Sequence, residues 1–429
     1  MTNSPTFYTT TTQVKRIYYF LHSLYNFSAS LSLAVLVLYL RSRGFELGQI
    51  GLFFGIAAFS AVLLEVPTGG LADSIGRKRV TLIAQAVSIL AHTVLLFAIS
   101  LPIAIVYAVL MGVARALLSG SLDAWFVDAL KTVDPKVNLQ PFLAGADTIE
   151  TSALLVGVLI GAFIPQYLAD TVVSSSLLNP FAYAILAAVC MRVISWVFVL
   201  ILVKETPRDT DAEASAARRL DRILGDAFKL IKDLPVLRAL LLPAFVTGAA
   251  LGTVDAFWQP HFSSYLGESA DNSLLFGVIF AVAMAVATVG TIYVTRLVKQ
   301  FGGRLNLVAG LGQAIKGLAI MALGLSTPFV PNIVIFSLIY LMIAFNLSPH
   351  GTLFNEAVPS QRRSVMLSVQ SLIVTLGAGL GVFILGLVAE QSSLATVWFV
   401  LGGLTLISAF PYFRPSIFGL DKAIRARQS

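Results

Sequence analysis

The sequence predicts an all-α membrane protein with twelve transmembrane helices. Hydrophobic residues make up 57% of the 429 residues and charged residues only 12%, whereas about a quarter of the residues in a soluble domain are charged. Apolar runs of about 20 residues, the length that crosses a bilayer as a helix, recur along nearly the whole chain. These runs do not alternate with a period of two, so helices fit them better than the strands of a membrane barrel.

The twelve predicted spans are separated by short loops, with one longer interruption after the sixth. Their bounds, numbered as spans 1 to 12, are 17–40, 47–68, 79–100, 102–128, 141–166, 180–203, 237–263, 273–297, 304–326, 330–352, 364–389 and 394–413. Segment 204–236 has apolar residues at helical spacing between its charges, which predicts an amphipathic helix on the cytoplasmic membrane surface. We therefore expect an N-terminal six-helix bundle (1–203), a cytoplasmic linker with this helix (204–236) and a C-terminal six-helix bundle (237–429).

The distribution of basic residues predicts the orientation in the membrane. If the N-terminus is cytoplasmic, 24 of the 29 Lys and Arg residues fall in cytoplasmic segments, and only Arg41 and Arg43 fall in the outside loops. Because basic residues are enriched on the cytoplasmic side, we expect both termini in the cytoplasm and the chain in the inner (plasma) membrane. The net charge of +7 is then a topology signal, which argues against nucleic acid as a partner.

The composition also narrows the chemistry. The single Cys and the four scattered His argue against a disulfide framework and against a metal site. The sequence has no nucleophile–His–acid arrangement and no phosphate-binding loop, so we expect neither an enzyme nor a cofactor. The expected partners are protons, a small-molecule substrate and the lipid bilayer, and the expected state is a monomer.

The two halves of the chain resemble each other. Residues 71–76 align with 297–302, and residues 126–130 align with 354–358, at offsets of 226 and 228 residues. Both matches lie at predicted cytoplasmic span ends, which indicates a duplicated six-helix unit. Parallel repeats about a pseudo-two-fold axis along the membrane normal are typical of secondary transporters, which bind substrate between the repeats near the midplane.

The segment GGLADSIGRKRV (69–80) is unusually charged for this chain. Its residues Gly70-Leu71-Ala72-Asp73 and Gly76-Arg77-Lys78 resemble the loop between the second and third helices of the major facilitator superfamily. The resemblance implies the fold of that superfamily over the whole chain and a conformational latch that holds the outward-open state. The candidate latch residues in this loop are Gly70, Asp73, Gly76, Arg77 and Lys78. Asp128 and Glu356 are the candidate acidic partners of its cations and belong to the same latch. The alternative is that the cluster only sets topology.

Ionisable residues inside spans are costly and are therefore functional candidates. Arg115, Ser119 and Asp123 of span 4 are spaced at i, i+4 and i+8, which predicts one shared helix face. They resemble the helix 4 motif of the superfamily, whose arginine serves proton coupling in antiporters; the alternative is a structural ion pair. With Glu150 of span 5 and Asp255 of span 7, the proton-coupling candidates are Asp123, Glu150, Asp255 and Arg115.

Polar side chains also mark spans 1, 4, 7 and 10, which the resemblance implies as the spans that line the substrate cavity. The cavity candidates are His22, Tyr25, Asn26, Ser30, Ser119, Trp258, Gln259 and Asn346. Asp255 with Trp258 provides the charge and the π face that bind an organic cation. We expect Arg192 of span 6 and Lys316 of span 9 to snorkel to the membrane surface or to pair structurally.

The chain resembles the bacterial drug:proton antiporters of this superfamily. The leading hypothesis is therefore proton-coupled export of small amphipathic molecules or drugs by alternating access. The first alternative is a proton-coupled uptake symporter for a nutrient or for an organic anion held by Arg115. The second alternative, from a different class, is a lipid flippase or a non-transporting sensor.

Overall fold

The computed structural model describes residues 7–69, 71, 75–170, 178–205, 230–325, 328–359 and 362–414. Within these ranges every regular element is a helix, and no strand occurs. The α-helices are Thr11–Leu33, Leu36–Ser42, Leu47–Gly69, Arg77–Leu96, Leu101–Leu118, Ser121–Val133, Gln140–Leu168, Pro180–Leu202, Pro235–Leu266, Ser273–Gln300, Leu305–Leu323, Phe329–Ala357, Arg363–Gln391 and Leu394–Ile407. Short 3-10 helices lie at Ala270–Asn272 and Phe410–Phe413.

Twelve helical segments of the described chain are long and apolar enough to cross a membrane, which confirms the predicted number of spans. Span 1 comprises the first two helices and span 4 comprises Leu101–Leu118 and Ser121–Val133, whereas every other span contains one α-helix, with a short 3-10 helix added in spans 8 and 12. Capping side chains determine where several of the helices begin. The side chains of Thr10, Asn179 and Ser393 each accept a backbone N–H of the following first turn, which satisfies a donor that a helix leaves unpaired.

Span 4 is broken between its two helices. Gly120 has φ 72°, a left-handed conformation that glycine adopts without the strain imposed by a Cβ atom. Ser119 and Gly120 therefore separate Arg115, at the end of the first helix, from Asp123, in the first turn of the second. The predicted single helix face for Arg115, Ser119 and Asp123 is wrong, because the i, i+4, i+8 rule holds only in a continuous helix.

Glycines allow close packing at equivalent places in the two sequence halves. A Cβ atom on Gly157 of span 5 would meet the Ser30 side chain of span 1, and one on Gly377 of span 11 would meet the Phe245 carbonyl of span 7. Spans 1 and 5 correspond to spans 7 and 11 in a six-helix repeat. Small residues that let helix backbones approach are a common device in membrane interfaces.

The chain forms two compact units, and each draws on both sequence halves. Unit 1 comprises Met1–Phe45, Phe59–Ala217 and Phe262–Val278, and unit 2 comprises Glu46–Ala58, Arg218–His261 and Ile279–Ser429. In unit 1, Ser273 Oγ donates to the Ala162 carbonyl at 2.7 Å. The predicted division at 204–236 stays a prediction, and residues 206–229 of its amphipathic helix lie outside the described residues.

Candidate functional site

Two of the predicted acids meet the polar face of span 1 in unit 1. The Tyr18 hydroxyl donates to Asp123 Oδ1 at 2.6 Å, and His22 Nε2 lies 3.1 Å from Glu150 Oε2. The Tyr18 ring stacks between Phe126, at 3.9 Å between centroids, and His22, at 5.1 Å. We call Tyr18, His22, Asp123 and Glu150 the polar cluster.

The polar cluster lies inside the spans, and its two carboxylates are exposed or partly exposed whereas Tyr18 is buried. Asp123 is exposed, and the Glu150 side chain is 46% exposed. Residues 69–80 connect spans 2 and 3. We call the side of the bundle on which this connection lies the loop end. Glu150 is ten residues from the start of its helix at Gln140, which places it about 15 Å from the loop end. A carboxylate at this depth with water access can exchange protons.

Arg115 does not join the polar cluster. It is exposed, and among the described residues its electrostatic partner is Glu65 of span 2. The predicted alternative of an Arg115–Asp123 ion pair is therefore not formed, because Asp123 binds Tyr18 instead. Ser119 is exposed at the break of span 4.

Several cavity candidates are held by their own bundles. Asn26 donates to the His22 carbonyl at 3.0 Å, and Ser30 donates to the Phe27 carbonyl at 2.9 Å and is 1% exposed. Asn346 is 2% exposed and donates to the Ala309 carbonyl of span 9, whereas Gln259 is 1% exposed. Their cavity roles stay predictions, and helix packing already accounts for Ser30 and Asn346.

A second carboxylate lies in unit 2, at Asp255. The Tyr340 hydroxyl of span 10 donates to Asp255 Oδ1 at 2.7 Å. Trp258 stacks with Phe280 and with Phe336, each at 5.5 Å between centroids, and the Tyr340 ring lies edge-on to both phenylalanines. All four rings are buried. We call Trp258, Phe280, Phe336 and Tyr340 the aromatic cluster.

Asp255 has the chemistry of a proton or cation site. Asp255 is exposed, although it lies eleven residues before the end of its helix at Leu266. No Lys, Arg or His within the described residues forms a salt bridge with it, and its hydrogen-bond donor is a neutral tyrosine. An ionised carboxylate in a span is stabilised by such a donor, and the adjacent π faces favour a cation.

The charged loop contacts spans 4 and 6 within unit 1. Arg77 Nη1 lies 2.6 Å from Asp128 Oδ2, so the structure brings together two predicted latch residues. The Lys78 ammonium donates to the Leu200 carbonyl at 2.8 Å. Gly70 and Asp73 lie outside the described residues, and Glu356 is exposed.

Sequence reasoning missed Glu205, which caps span 3. Its two carboxylate oxygens accept the backbone N–H groups of Arg77 and Lys78, each at 2.9 Å. A negative charge at a helix N-terminus is favourable because it meets unpaired donors and the positive end of the dipole. Gly76 has φ 97°, and a Cβ there would lie 3.0 Å from Glu205 Oε2. The only signal in the sequence was an acid directly after span 6.

Comparison with protein families finds a match over most of the chain. The model of the Major Facilitator Superfamily matches residues 18–355. A curated relative, the uncharacterized MFS-type transporter YxaM of Bacillus subtilis (strain 168), is 24% identical over 423 residues, which cover 94% of this chain and 98% of the relative.

Solved transporters share the fold. A variant of the nucleoside transporter NupG has a TM-score of 0.78 at 16% identity, covering 94% of this chain and 100% of that chain. A bacterial homolog of the human lysosomal transporter Spinster has a TM-score of 0.73 at 16% identity, covering 96% and 98%. A POT family transporter in complex with a thioalcohol-conjugated peptide has a TM-score of 0.69 at 15% identity, covering 94% and 96%.

Proposed function

Because the chain belongs to the Major Facilitator Superfamily, and is thus a secondary transporter, we propose that its transport is coupled to protons. The observation that supports this proposal is a pair of carboxylates inside spans, Asp123 and Asp255, each bound by a tyrosine hydroxyl and each exposed. Intramembrane acids with water access are the usual carriers of protons in transporters. We therefore assign proton coupling to these acids.

Asp255 is the principal coupling residue in this proposal. No basic side chain among the described residues forms a salt bridge with it, so its charge is free to be neutralised by a proton or by a substrate cation. A proton and a cationic substrate then compete for the same carboxylate. Competition of this kind links the two fluxes, because each ligand shifts the conformational equilibrium in proportion to its differential affinity.

We propose that the substrate is a small amphipathic molecule, with cations preferred, and that transport is export in exchange for protons. The aromatic cluster beside Asp255 supports this choice, since stacked rings bind flat apolar groups and attract positive charge. The predicted orientation, with both termini cytoplasmic in the inner membrane, and the latch role of Arg77 with Asp128 belong to the same proposal.

One observation favours a second function. Arg115 presents an exposed guanidinium within span 4, near Glu65 but without a hydrogen bond among the described residues. A guanidinium binds carboxylates with two parallel hydrogen bonds. Proton-coupled uptake of an organic anion is therefore the alternative, with Arg115 as the anion-binding residue.

Proton release from energised inside-out vesicles, followed with a pH-gradient dye, tests the proposal. The vesicles are challenged in turn with lipophilic cations, antibiotics and organic anions. Lipophilic cations should release protons from wild-type vesicles but not from Asp255→Asn vesicles. The control Asp271→Asn changes a carboxylate in the turn between spans 7 and 8, and it should behave as the wild type.

The outcomes separate the candidate functions. Proton release from vesicles preloaded with an organic anion, lost in Arg115→Gln, would support the second function, because a symporter moves the anion and the proton out of the lumen together. Silence across the whole panel, in vesicles that contain folded protein, would contradict export of amphipathic molecules. It would direct attention to lipid transport or to a sensor.

A further inference from the structure

A second polar region lies inside unit 1, between spans 1, 3, 4 and 6, and the proposed transport mechanism does not use it. Arg192 of span 6 is 3% exposed, and its guanidinium carbon lies 5.4 Å from the centre of the Tyr25 ring. His92 is 1% exposed and Tyr107 is 4% exposed, with 5.5 Å between ring centroids. Both interact electrostatically with Arg192. Of the two expected roles, snorkelling is wrong because the Arg192 side chain is enclosed, whereas its contact with Tyr25 is a structural pairing.

Two further polar side chains lie at the same level. The Trp196 indole N–H donates to the Leu82 carbonyl at 3.0 Å, which fixes the alignment of span 6 against span 3. Consecutive spans alternate in direction, so spans 3 and 6 run antiparallel, and Gln85 lies one turn from Leu82 at the level of Arg192. Gln85 is 3% exposed and Ser195 is 1% exposed.

Several hydrogen-bonding groups of Arg192, Gln85 and Ser195 are left without partners in the described structure. In the described structure, Arg192 Nε and Nη1, both amide atoms of Gln85 and the Ser195 hydroxyl are buried and have no hydrogen-bond partner. Buried polar groups in native proteins are nearly always paired with protein or with bound water or ions. Four buried donors without acceptors, at one level of two neighbouring spans, indicate a bound acceptor.

The charge balance requires more than a neutral acceptor. An arginine guanidinium keeps its positive charge in proteins, and a buried charge is costly unless it is paired. The helices Thr11–Leu33, Arg77–Leu96, Leu101–Leu118 and Pro180–Leu202, which enclose Arg192, contain no Asp or Glu. Three acids lie near span 1: Asp123 is bound by Tyr18, Glu150 contacts His22, and Asp147 interacts electrostatically with Tyr18 and Tyr19. No salt bridge in the described structure joins any of them to Arg192.

We propose that Arg192, Gln85 and Ser195 bind a small monovalent inorganic anion, of the size of chloride, inside the N-terminal bundle. The Arg192 N–H groups, the Gln85 amide and the Ser195 hydroxyl supply its donors. The residues that enclose it are almost completely buried, which leaves no opening for an organic carboxylate. The anion neutralises Arg192 and joins spans 3 and 6, so it is a structural ion rather than cargo.

A buried lysine in unit 2 provides a comparison for the buried Arg192. Lys316 of span 9 is 0% exposed, and its ammonium donates to Thr247 Oγ1 at 3.2 Å, while Thr247 donates to Gln313. This lysine also does not snorkel, and no carboxylate in the described residues pairs with it. A lysine can release its proton when it is buried, whereas an arginine cannot. Of these two buried cations, Arg192 is therefore the one that requires an anion.

Thermal unfolding of the purified protein in sodium chloride and in sodium gluconate, at equal ionic strength, tests the proposal. The wild type should have a higher Tm in chloride, and the increase should saturate with chloride concentration, because a ligand that binds only the folded state stabilises it by mass action. Arg192→Met should remove the difference and should be at least as stable in gluconate as the wild type. Lys316→Met should retain it.

Two further measurements keep the proposal testable if Arg192→Met does not fold. Gln85→Leu should raise the chloride concentration for half-maximal stabilisation about tenfold, the effect of about one charge-assisted hydrogen bond. A crystal grown in bromide should show an anomalous peak beside Arg192. Equal wild-type Tm values in the two salts, a chloride effect that survives Arg192→Met, or water instead of bromide at this position would each overturn the proposal.

Discussion

The two tyrosine-bound carboxylates have the same hydrogen bond and opposite surroundings. Asp123 belongs to the polar cluster, where the His22–Glu150 contact lies within one helical turn of its donor Tyr18. Asp255 belongs with the aromatic cluster, in which the other side chains are Trp258 and two phenylalanines. Asp123 has the His22–Glu150 pair nearby, whereas in the described residues no Lys, Arg, His or second carboxylate forms a salt bridge or hydrogen bond with Asp255.

The arrangement of the two pairs is also reversed. In unit 1 the tyrosine is on span 1 and the aspartate on span 4, whereas in unit 2 the aspartate is on span 7 and the tyrosine on span 10. Because spans 1 and 4 correspond to spans 7 and 10, donor and acceptor exchange places between the halves. The hydrogen bond alone therefore does not define the function of either aspartate. The neighbouring side chains determine whether the acid interacts with other titratable groups or binds a proton or cation by itself.

The largest predicted effect is that of Asp255→Asn. An amide cannot ionise, so proton release in the vesicle assay should fall at least a hundredfold, while Asp123→Asn should retain a measurable rate. Gel filtration and circular dichroism of both variants provide the control for folding. Equal losses in the two variants would contradict the distinction between the sites.

The next effect is the loss of the tyrosine hydroxyls. Tyr340→Phe removes a hydrogen bond to a carboxylate, which contributes about 1.5–3 kcal/mol, and should reduce proton-coupled transport about tenfold or more. Tyr18→Phe keeps the stacked ring between Phe126 and His22, so its effect should be smaller. Initial rates of the two variants, normalised to the amount of folded protein, give the comparison, and a larger loss in Tyr18→Phe would reverse our assignment.

A smaller effect is expected from the aromatic cluster. Trp258→Leu removes a π face that contributes about 0.5–2 kcal/mol to cation binding, so KM for a cationic substrate should rise several-fold. The rise should be absent for a neutral substrate of similar shape. A uniform increase for both substrates would mean that Trp258 supplies apolar packing rather than cation recognition.

The smallest effect concerns the stability of the polar cluster. The Glu150 side chain is 46% exposed, and ion pairs that contact solvent contribute about 0–1 kcal/mol. Glu150→Gln should therefore lower Tm only slightly, and adding salt to the wild type should reproduce part of the decrease. A large loss of stability in Glu150→Gln would show that water does not screen this pair.

The comparison also shows what the sequence can predict. The twelve spans were predictable because a bilayer requires long apolar helices, and Asp123 and Asp255 were predictable because acids are rare in such runs. Tyr18 and Tyr340 were not recognised as their donors, since contacts between spans depend on helix rotation and tilt, which tertiary packing determines. The break at Gly120 was missed because a left-handed glycine does not interrupt an apolar run.

Arg192 and Lys316 illustrate the same limit. Hydropathy reports that a charge lies within a span, but it does not report which face of the helix carries the charge. Both were expected to snorkel to the membrane surface or to pair structurally, and both are enclosed by polar, uncharged neighbours in the described structure. Only the packing of neighbouring helices distinguishes a buried cation from a snorkelling one.

Infrared difference spectroscopy of the purified protein in lipid vesicles tests most directly whether Asp255 carries a proton. Spectra recorded across a pH titration report the carbonyl stretch of each carboxylic acid that gains a proton. The account predicts a band from an acid in an apolar environment that is present in the wild type, present in Asp123→Asn and missing in Asp255→Asn. A band that persists in Asp255→Asn, or no band at any pH, would contradict the role of Asp255.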